Sequence, residues 1–208
     1  MYQNIVFDLG GVVVEFDPKK YLLDLLCDAG AEADVYDIVF GSEEWQLMDA
    51  GKLSREDGSA IMMAKAEEKG RVFEVQAVLD NWMRMLKPMH RTIELMRRLK
   101  KMGYKLYYLS NISQDTLEYL QQKEFFSLFD GGIGSCQLQI SKPDPILYQT
   151  FMRYYGLSYD ETIFIDDKKE NAQAAYQLGI TGIHYRGNAS LMKALSSCGI
   201  PIREHLLW

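Results

Sequence analysis

The placement of its short apolar runs constrains this chain more than anything else in the sequence. One run, Asn4-Ile5-Val6-Phe7, stands almost at the start and ends on Asp8-Leu9-Gly10-Gly11. A short apolar run bounded by glycines reads as a parallel strand buried on both faces. Residues 18 to about 87 then carry no strand signal. They read as successive helices over 18–29, 31–39, 43–49, 54–69 and 72–85. Asp17-Pro18 suits an N-cap followed by proline at the first helical position, Ser54 opens a capping sequence, and Gly70 is a stop. From Pro88 the rhythm becomes an alternation. Helices over 89–102, 114–124, 146–155 and 169–178 interleave with strands over 105–109, about 131–135, 162–165 and 182–185.

Such alternation with short turns implies a parallel sheet joined by right-handed crossovers. The expected class is therefore α/β, a Rossmann-like three-layer core with an inserted all-helical segment. The core takes residues 1–14 and 88–208, and the insertion takes residues 15–87. A length of 208 residues fits one domain plus an insertion, at about 150 residues per domain.

In an open parallel sheet, ligands sit beyond the carboxyl ends of the strands. The first strand delivers Asp8 there, and the strand ending at Leu109 delivers Ser110 and Asn111. Ser141 and Lys142 precede the helix over 146–155, and Asp166 and Asp167 follow the strand over 162–165, with Asn171 one turn on. Three carboxylates packed without a counter-charge repel, and a divalent cation removes the conflict. Oxygen ligands without His or Cys suit Mg²⁺, which commonly arrives with a phosphate. Aspartate can act as a nucleophile toward phosphorus, so Asp8 is the candidate for that role. The N–H groups of Leu9 and Gly10 are placed to meet phosphoryl oxygens, Ser110 and the Asn111 N–H to hold another, and Lys142 to neutralise transition-state charge.

Plainer readings stand beside these. Ser110-Asn111 also suits a helix N-cap, Asp166-Asp167 also suit the first turn of the next helix, and Asn171 suits site support or a solvated face equally. Gly131-Gly132-Ile133-Gly134 lacks the spacing of a dinucleotide loop, and His90, His184 and His205 are scattered. With 29 acids against 23 bases the net charge is −6, which disfavours nucleic acid as a partner. Cys27, Cys136 and Cys198 form no CxxC, so neither a disulfide framework nor a zinc site is expected, and a reducing cytoplasm fits. The N-terminus lacks a basic segment and a cleavage site, so a signal peptide is not expected, and no apolar run is long enough to span a membrane. Nothing in the sequence specifies an oligomeric state.

Taken in order, four segments resemble the motifs of the haloacid dehalogenase superfamily. They are Val6-Phe7-Asp8-Leu9-Gly10-Gly11-Val12, Leu109-Ser110-Asn111, Lys142-Pro143-Asp144-Pro145, and Phe164-Ile165-Asp166-Asp167 with Asn171. The resemblance implies a capped phosphohydrolase acting on a small phosphorylated metabolite. In it Asp8 is the nucleophile, Ser110 and Lys142 bind phosphate, and Asp8, Asp167 and the Gly10 carbonyl hold Mg²⁺. Asp166 is a nearby ligand or sits behind one, and the helical insertion is the cap. Phosphatases of the superfamily usually carry an acid where this chain has Gly10. A subgroup resembling sugar-phosphate (glucose-1-phosphate type) phosphatases shares the Asp-Leu-Gly pattern. Glu15 and Asp17 are candidate substitutes for that acid, and hinge or surface roles suit them equally. The expected substrates have leaving groups that need little protonation, such as anomeric sugar phosphates or aryl phosphates. Specificity is expected around Phe16, Glu43, Glu44 and Trp45. The alternatives are a dehalogenase, with Asp8 displacing halide from carbon, and an inactive binding or regulatory module.

Overall fold

The computed structural model describes residues 1–202. The end of the expected core segment and His205 lie outside the described residues. Five parallel strands form one sheet: β1 (Asn4–Phe7), β2 (Lys105–Ser110), β3 (Gly131–Gly134), β4 (Thr162–Asp166) and β5 (Thr181–His184). Their order is β3-β2-β1-β4-β5, so the first strand in sequence is central in space. All four β1 residues are buried, as a strand covered on both faces requires.

Successive side chains of a strand face opposite sides, and the packing follows that period. Ile5, Phe7, Leu106, Tyr108, Ile163 and Ile165 belong to one hydrophobic cluster. Val6, Tyr107, Leu109 and Phe164 belong to another, with Leu147, Tyr148 and Phe151. Helices α6 (His90–Lys101) and α7 (Gln114–Gln121) cover the first face. Helices α9 (Pro145–Tyr155) and α10 (Lys169–Gln177) cover the second. Between α7 and α9 lies a one-turn helix, α8 (Ser135–Leu138).

Five helices lie in sequence between β1 and α6. They are α1 (Pro18–Leu26), α2 (Ala29–Ile38), α3 (Glu43–Asp49), α4 (Arg55–Lys69) and α5 (Val72–Asn81). Their boundaries follow cap chemistry. Asp17, Asp28, Ser42 and Ser54 each accept backbone N–H groups of the following first turn. The Asp28 cap starts α2 two residues earlier than expected, and Cys27, in the left-handed region at φ 53°, ends α1 early. The expected helix over 72–85 is α5 followed by a 3₁₀ turn, Trp82–Met85, which buries Trp82. Where the chain leaves and re-enters the sheet, its two passages are bonded side by side. Glu15 N–H donates to Lys87 O at 2.8 Å and Met89 N–H to Val13 O at 2.8 Å.

A final helix, α11 (Asn188–Ser197), was not expected. Its cap residue is Gly187 at φ 101°, with no side-chain cap bond, so the usual start signal is missing and only Leu191, Met192 and Leu195 mark its buried face. The glycine run of β3 has a packing reason. A Cβ on Gly132 would lie 2.1 Å from the Tyr108 ring, so the ring rests on bare backbone. Among the described residues, no helix is long and apolar enough to cross a membrane.

Candidate active site

Register brings the site together. Phe7 pairs with Tyr108 on one side and Ile165 on the other, so Asp8, one residue on, stands level with Leu109 and Asp166. The Asp8 N–H donates to Ile165 O at 2.8 Å, which fixes that level. From β2 the chain continues into Ser110 and Asn111, and the Asn111 side chain grips the Lys142 backbone twice. It accepts from Lys142 N–H at 2.7 Å and donates to Lys142 O at 2.9 Å. A loop residue 31 positions away is thereby held at the end of β2.

The Lys142 ammonium is buried and all three of its protons are engaged. Nζ lies 3.0 Å from Asp8 Oδ1, 2.7 Å from Asp166 Oδ2 and 2.8 Å from Leu109 O. The other oxygen of Asp166 accepts from Lys168 N–H at 2.8 Å and from Asn171 Nδ2 at 3.0 Å. Asp166 is fully buried and both its oxygens are occupied, so it organises the cluster from behind. Asn171 is itself buried rather than on a solvated helix face.

One oxygen each of Asp8, Asp166 and Asp167 lie within 4.8 Å of one another. Three carboxylates against one ammonium leave two negative charges uncompensated, the deficit a dication would fill. Burial pushes the Asp8 carboxyl up to about 6, Lys142 opposing and Asp166 and Asp167 adding to the rise. Burial and the charge of Asp166 raise Asp167 as well. Burial works against the Lys142 charge, but Asp8 and Asp166 outweigh it and hold its pKa above the ordinary value. A donor set of carboxylate oxygens without His or Cys fits Mg²⁺. Gly11 leaves room for the Asp167 carboxylate. At φ 73°, a Cβ there would lie 2.6 Å from Asp167 Oδ2.

Other expected residues behave differently. The Leu9 N–H, expected for a phosphoryl oxygen, donates to Asp8 Oδ1 at 2.7 Å. Ser110 is buried and hydrogen-bonds Asp8 through its side chain. Glu15 and Asp17 are not brought to the site: both are exposed, and Asp17 Oδ1 is committed to Lys20 N–H at 3.1 Å as the cap of α1. The bridge of Val14 to Gly10 and Pro88 turns the chain away just before them.

A cavity of about 990 Å³ lies over the sheet edge. Asp8, Ser110, Lys142 and Asp167 line it from the core, and Phe16, Trp45 and Asp49 from the insertion. Phe40, Trp45 and Trp82 pack as an aromatic cluster, with Phe40–Trp45 centroids 4.7 Å apart and Trp45–Trp82 centroids 4.8 Å apart. Arg55 closes the far end of that cluster, its guanidinium 5.2 Å from each tryptophan ring, and reaches across to the core. There it binds Asp115 through Nε at 2.8 Å and Nη2 at 3.2 Å, and Ser113 Oγ at 2.9 Å. Ser135 Oγ donates to the Asp49 carbonyl. The local sequence does not signal Asp49 as a cavity residue, because it arrives through long-range packing, whereas Lys168 follows β4 directly.

Comparison with known proteins fits this geometry. A family model described as haloacid dehalogenase-like hydrolase matches residues 2–179. A sesquiterpene phosphatase of Aspergillus oryzae is 29% identical over 203 residues, covering 95% of this chain and 93% of its own. A D-ribitol-5-phosphate phosphatase of Bacteroides thetaiotaomicron is 27% identical over 188 residues, covering 86% and 89%. Among solved structures, a HAD-like hydrolase from Porphyromonas gingivalis superposes with a TM-score of 0.74 at 22% identity, over 98% of this chain and 100% of its own. A HAD family enzyme from Bacteroides thetaiotaomicron, in complex with magnesium and inorganic phosphate, gives 0.66 at 20% identity, over 87% and 92%. At those identities the structures establish the fold.

Proposed function

Because this chain belongs to the haloacid dehalogenase-like hydrolases, we propose that it is an Mg²⁺-dependent phosphomonoester hydrolase that works through an aspartyl-phosphate at Asp8. Its substrate is a small phosphorylated metabolite, with a sugar phosphate as the leading candidate. The observation that carries this reading is the two-charge deficit of the Asp8–Asp166–Asp167–Lys142 cluster lining a cavity between the sheet edge and the insertion. Phosphatases among the relatives and magnesium with phosphate in a related fold support it further.

In this reading Asp8, Asp167 and the Gly10 carbonyl hold Mg²⁺, with Asp166 behind them. When bound, the ion supplies charge stabilisation for the phosphoryl group and lets an anionic nucleophile approach an anionic substrate. Ser110 and the Asn111 N–H bind a phosphoryl oxygen, and Lys142 stabilises the charge that develops there. Asp8 attacks phosphorus in line and expels the alcohol, and water then hydrolyses the acyl phosphate. The insertion over 15–87 acts as the cap that excludes bulk water, and Phe16, Glu43 and Trp45 set what fits beneath it, whereas Glu44, paired with Lys65 at 2.6 Å, does not line the cavity. The two relatives are named for D-ribitol-5-phosphate and for a sesquiterpene, so polar and apolar alcohols both belong in the screen.

The test is phosphate release from sugar, nucleotide, amino-acid and terpenyl phosphates, with and without Mg²⁺. Release that requires Mg²⁺ and falls to background in Asp8→Asn is expected. Chloride release from 2-haloacids with EDTA present would replace this reading with the dehalogenase one.

A further inference from the structure

We propose that Asp49 is a catalytic residue, the acid that protonates the leaving oxygen and the base that then takes a proton from water. The proposal rests on the phosphatase reading above. In the first step a lone pair of the Asp8 carboxylate forms the new P–O bond. The bond to the alcohol oxygen breaks, and that oxygen takes its electron pair and the Asp49 proton to leave as a neutral alcohol. In the second step water attacks phosphorus, passes one proton to the Asp49 carboxylate, and returns Asp8 as a free carboxylate.

An alkoxide is a poor leaving group without a proton, and a positioned acid contributes about 10²–10⁴-fold. The core side of the cavity offers hydroxyls and lysines but, among its lining residues, no carboxyl beyond the metal-site acids. Gly10 has no side chain, and a Cβ there would face the Phe16 side chain at 3.5 Å, an apolar neighbour. The Lys142 protons are all engaged, and Glu15 and Asp17 lie away from the cavity. Beyond the metal-site acids, the cavity carboxyls are Asp37, Glu43 and Asp49. Asp37 and Glu43 are exposed, whereas Asp49 is half-buried at the end of α3, where the insertion docks on the core.

The surroundings of Asp49 suit both directions of transfer. The Ser113 backbone N–H, Arg55 and Lys168 favour its anion, and Asp115 disfavours it. The Cys136 thiol faces it from α8. Burial outweighs the favourable partners and pushes the carboxyl up to about 7, close to half-protonated at neutral pH.

A docking role alone would make the Asp49→Asn variant lose rate equally on all substrates, so the test uses leaving groups. p-Nitrophenyl phosphate and benzyl phosphate are turned over with Mg²⁺ by wild type, Asp49→Asn and Asp49→Glu, with circular dichroism to confirm folding. The expected result is a loss of about 10²–10⁴-fold for Asp49→Asn on benzyl phosphate, less than about tenfold on p-nitrophenyl phosphate, and partial recovery in Asp49→Glu. Equal losses on both substrates, or none, overturn the proposal. Should Asp49→Asn fail to fold, the wild type and Asp49→Glu decide it. A wild-type rate as sensitive to leaving-group acidity as the uncatalysed reaction, or an unaltered benzyl pH profile in Asp49→Glu, also overturns it. A folded wild type that releases phosphate from no monoester fails the phosphatase reading instead.

Discussion

The two walls of the cavity are built on different principles. The sheet-edge wall is ionic and interlocked: Lys142 is shared among three acceptors, and both oxygens of Asp166 are spoken for. The wall from the insertion is aromatic, Phe40, Trp45 and Trp82 in contact. Its charged tie to the core is the half-exposed Arg55–Asp115 pair. A buried charge set holds a geometry but tolerates no missing member. An aromatic surface tied by a few polar contacts can separate and close again at modest cost. The first suits a fixed reaction centre and the second a surface that admits substrate.

Removing Lys142 breaks the contrast most violently. Lys142→Met leaves Asp8 and Asp166 buried without their cation, and a cost of about 3–5 kcal/mol is expected. Thermal melts should show that loss, with part of it regained when Mg²⁺ is added. Next comes Gly11→Ala, which forces an L-residue to φ 73° and drives a Cβ into Asp167. The backbone alone costs about 1–2 kcal/mol, and calorimetric Mg²⁺ affinity should fall with it.

The insertion wall should be gentler. Arg55→Ala is expected to cost about 1–2 kcal/mol, since the fork to Asp115 and Ser113 is only partly exposed. A double-mutant cycle with Asp115→Asn read by melting should give a positive coupling energy, and additivity would show that the pair does not tie the two walls. Burial pushes the Asp115 carboxyl up, but the bonds from Arg55 and Ser113 outweigh it and hold it below its ordinary value. The stability it contributes is therefore present above about pH 4 and lost as pH falls below that.

The smallest effect belongs to Asp49. Its folded pKa lies above its unfolded one, so the folded state binds more protons between about pH 4 and about 7. Stability should fall as pH rises through that window, by about 1 kcal/mol for a group only half-buried. Melts of wild type minus Asp49→Asn across that range should carry the slope, and a flat difference would remove Asp49 from the buried set.

Legibility in the sequence divides along the same line. Asp8, Ser110, Asp166 and Asp167 each end or follow a strand, so local apolar patterning places them, and register does the rest. Asn171 shows its role only through the bond to Asp166. The insertion residues are another matter. Nothing adjacent to Asp49 or Arg55 indicates that Ser113, Asp115 and Ser135, more than fifty positions away, will receive them. Glu15 and Asp17 follow the plainer of their two readings: both are exposed, Glu15 at the passage between core and insertion and Asp17 as the cap of α1. The unexpected α11 belongs with Asp49 and Arg55, since its cap is a glycine rather than a side chain.

The central position of β1 also sets an order of events during synthesis. Asn4 pairs with Lys105 on one side and Thr162 on the other. At about 5–20 residues per second, β1 waits roughly 5–20 s for its first partner, and longer for its second. All five insertion helices emerge in that interval and can collapse on local contacts, while Ile5, Val6 and Phe7 remain an unpaired apolar segment. Asp8 is therefore made before both strands that fix its level, and chaperone protection of β1 during synthesis should matter more to the yield of folded protein than protection of any later strand.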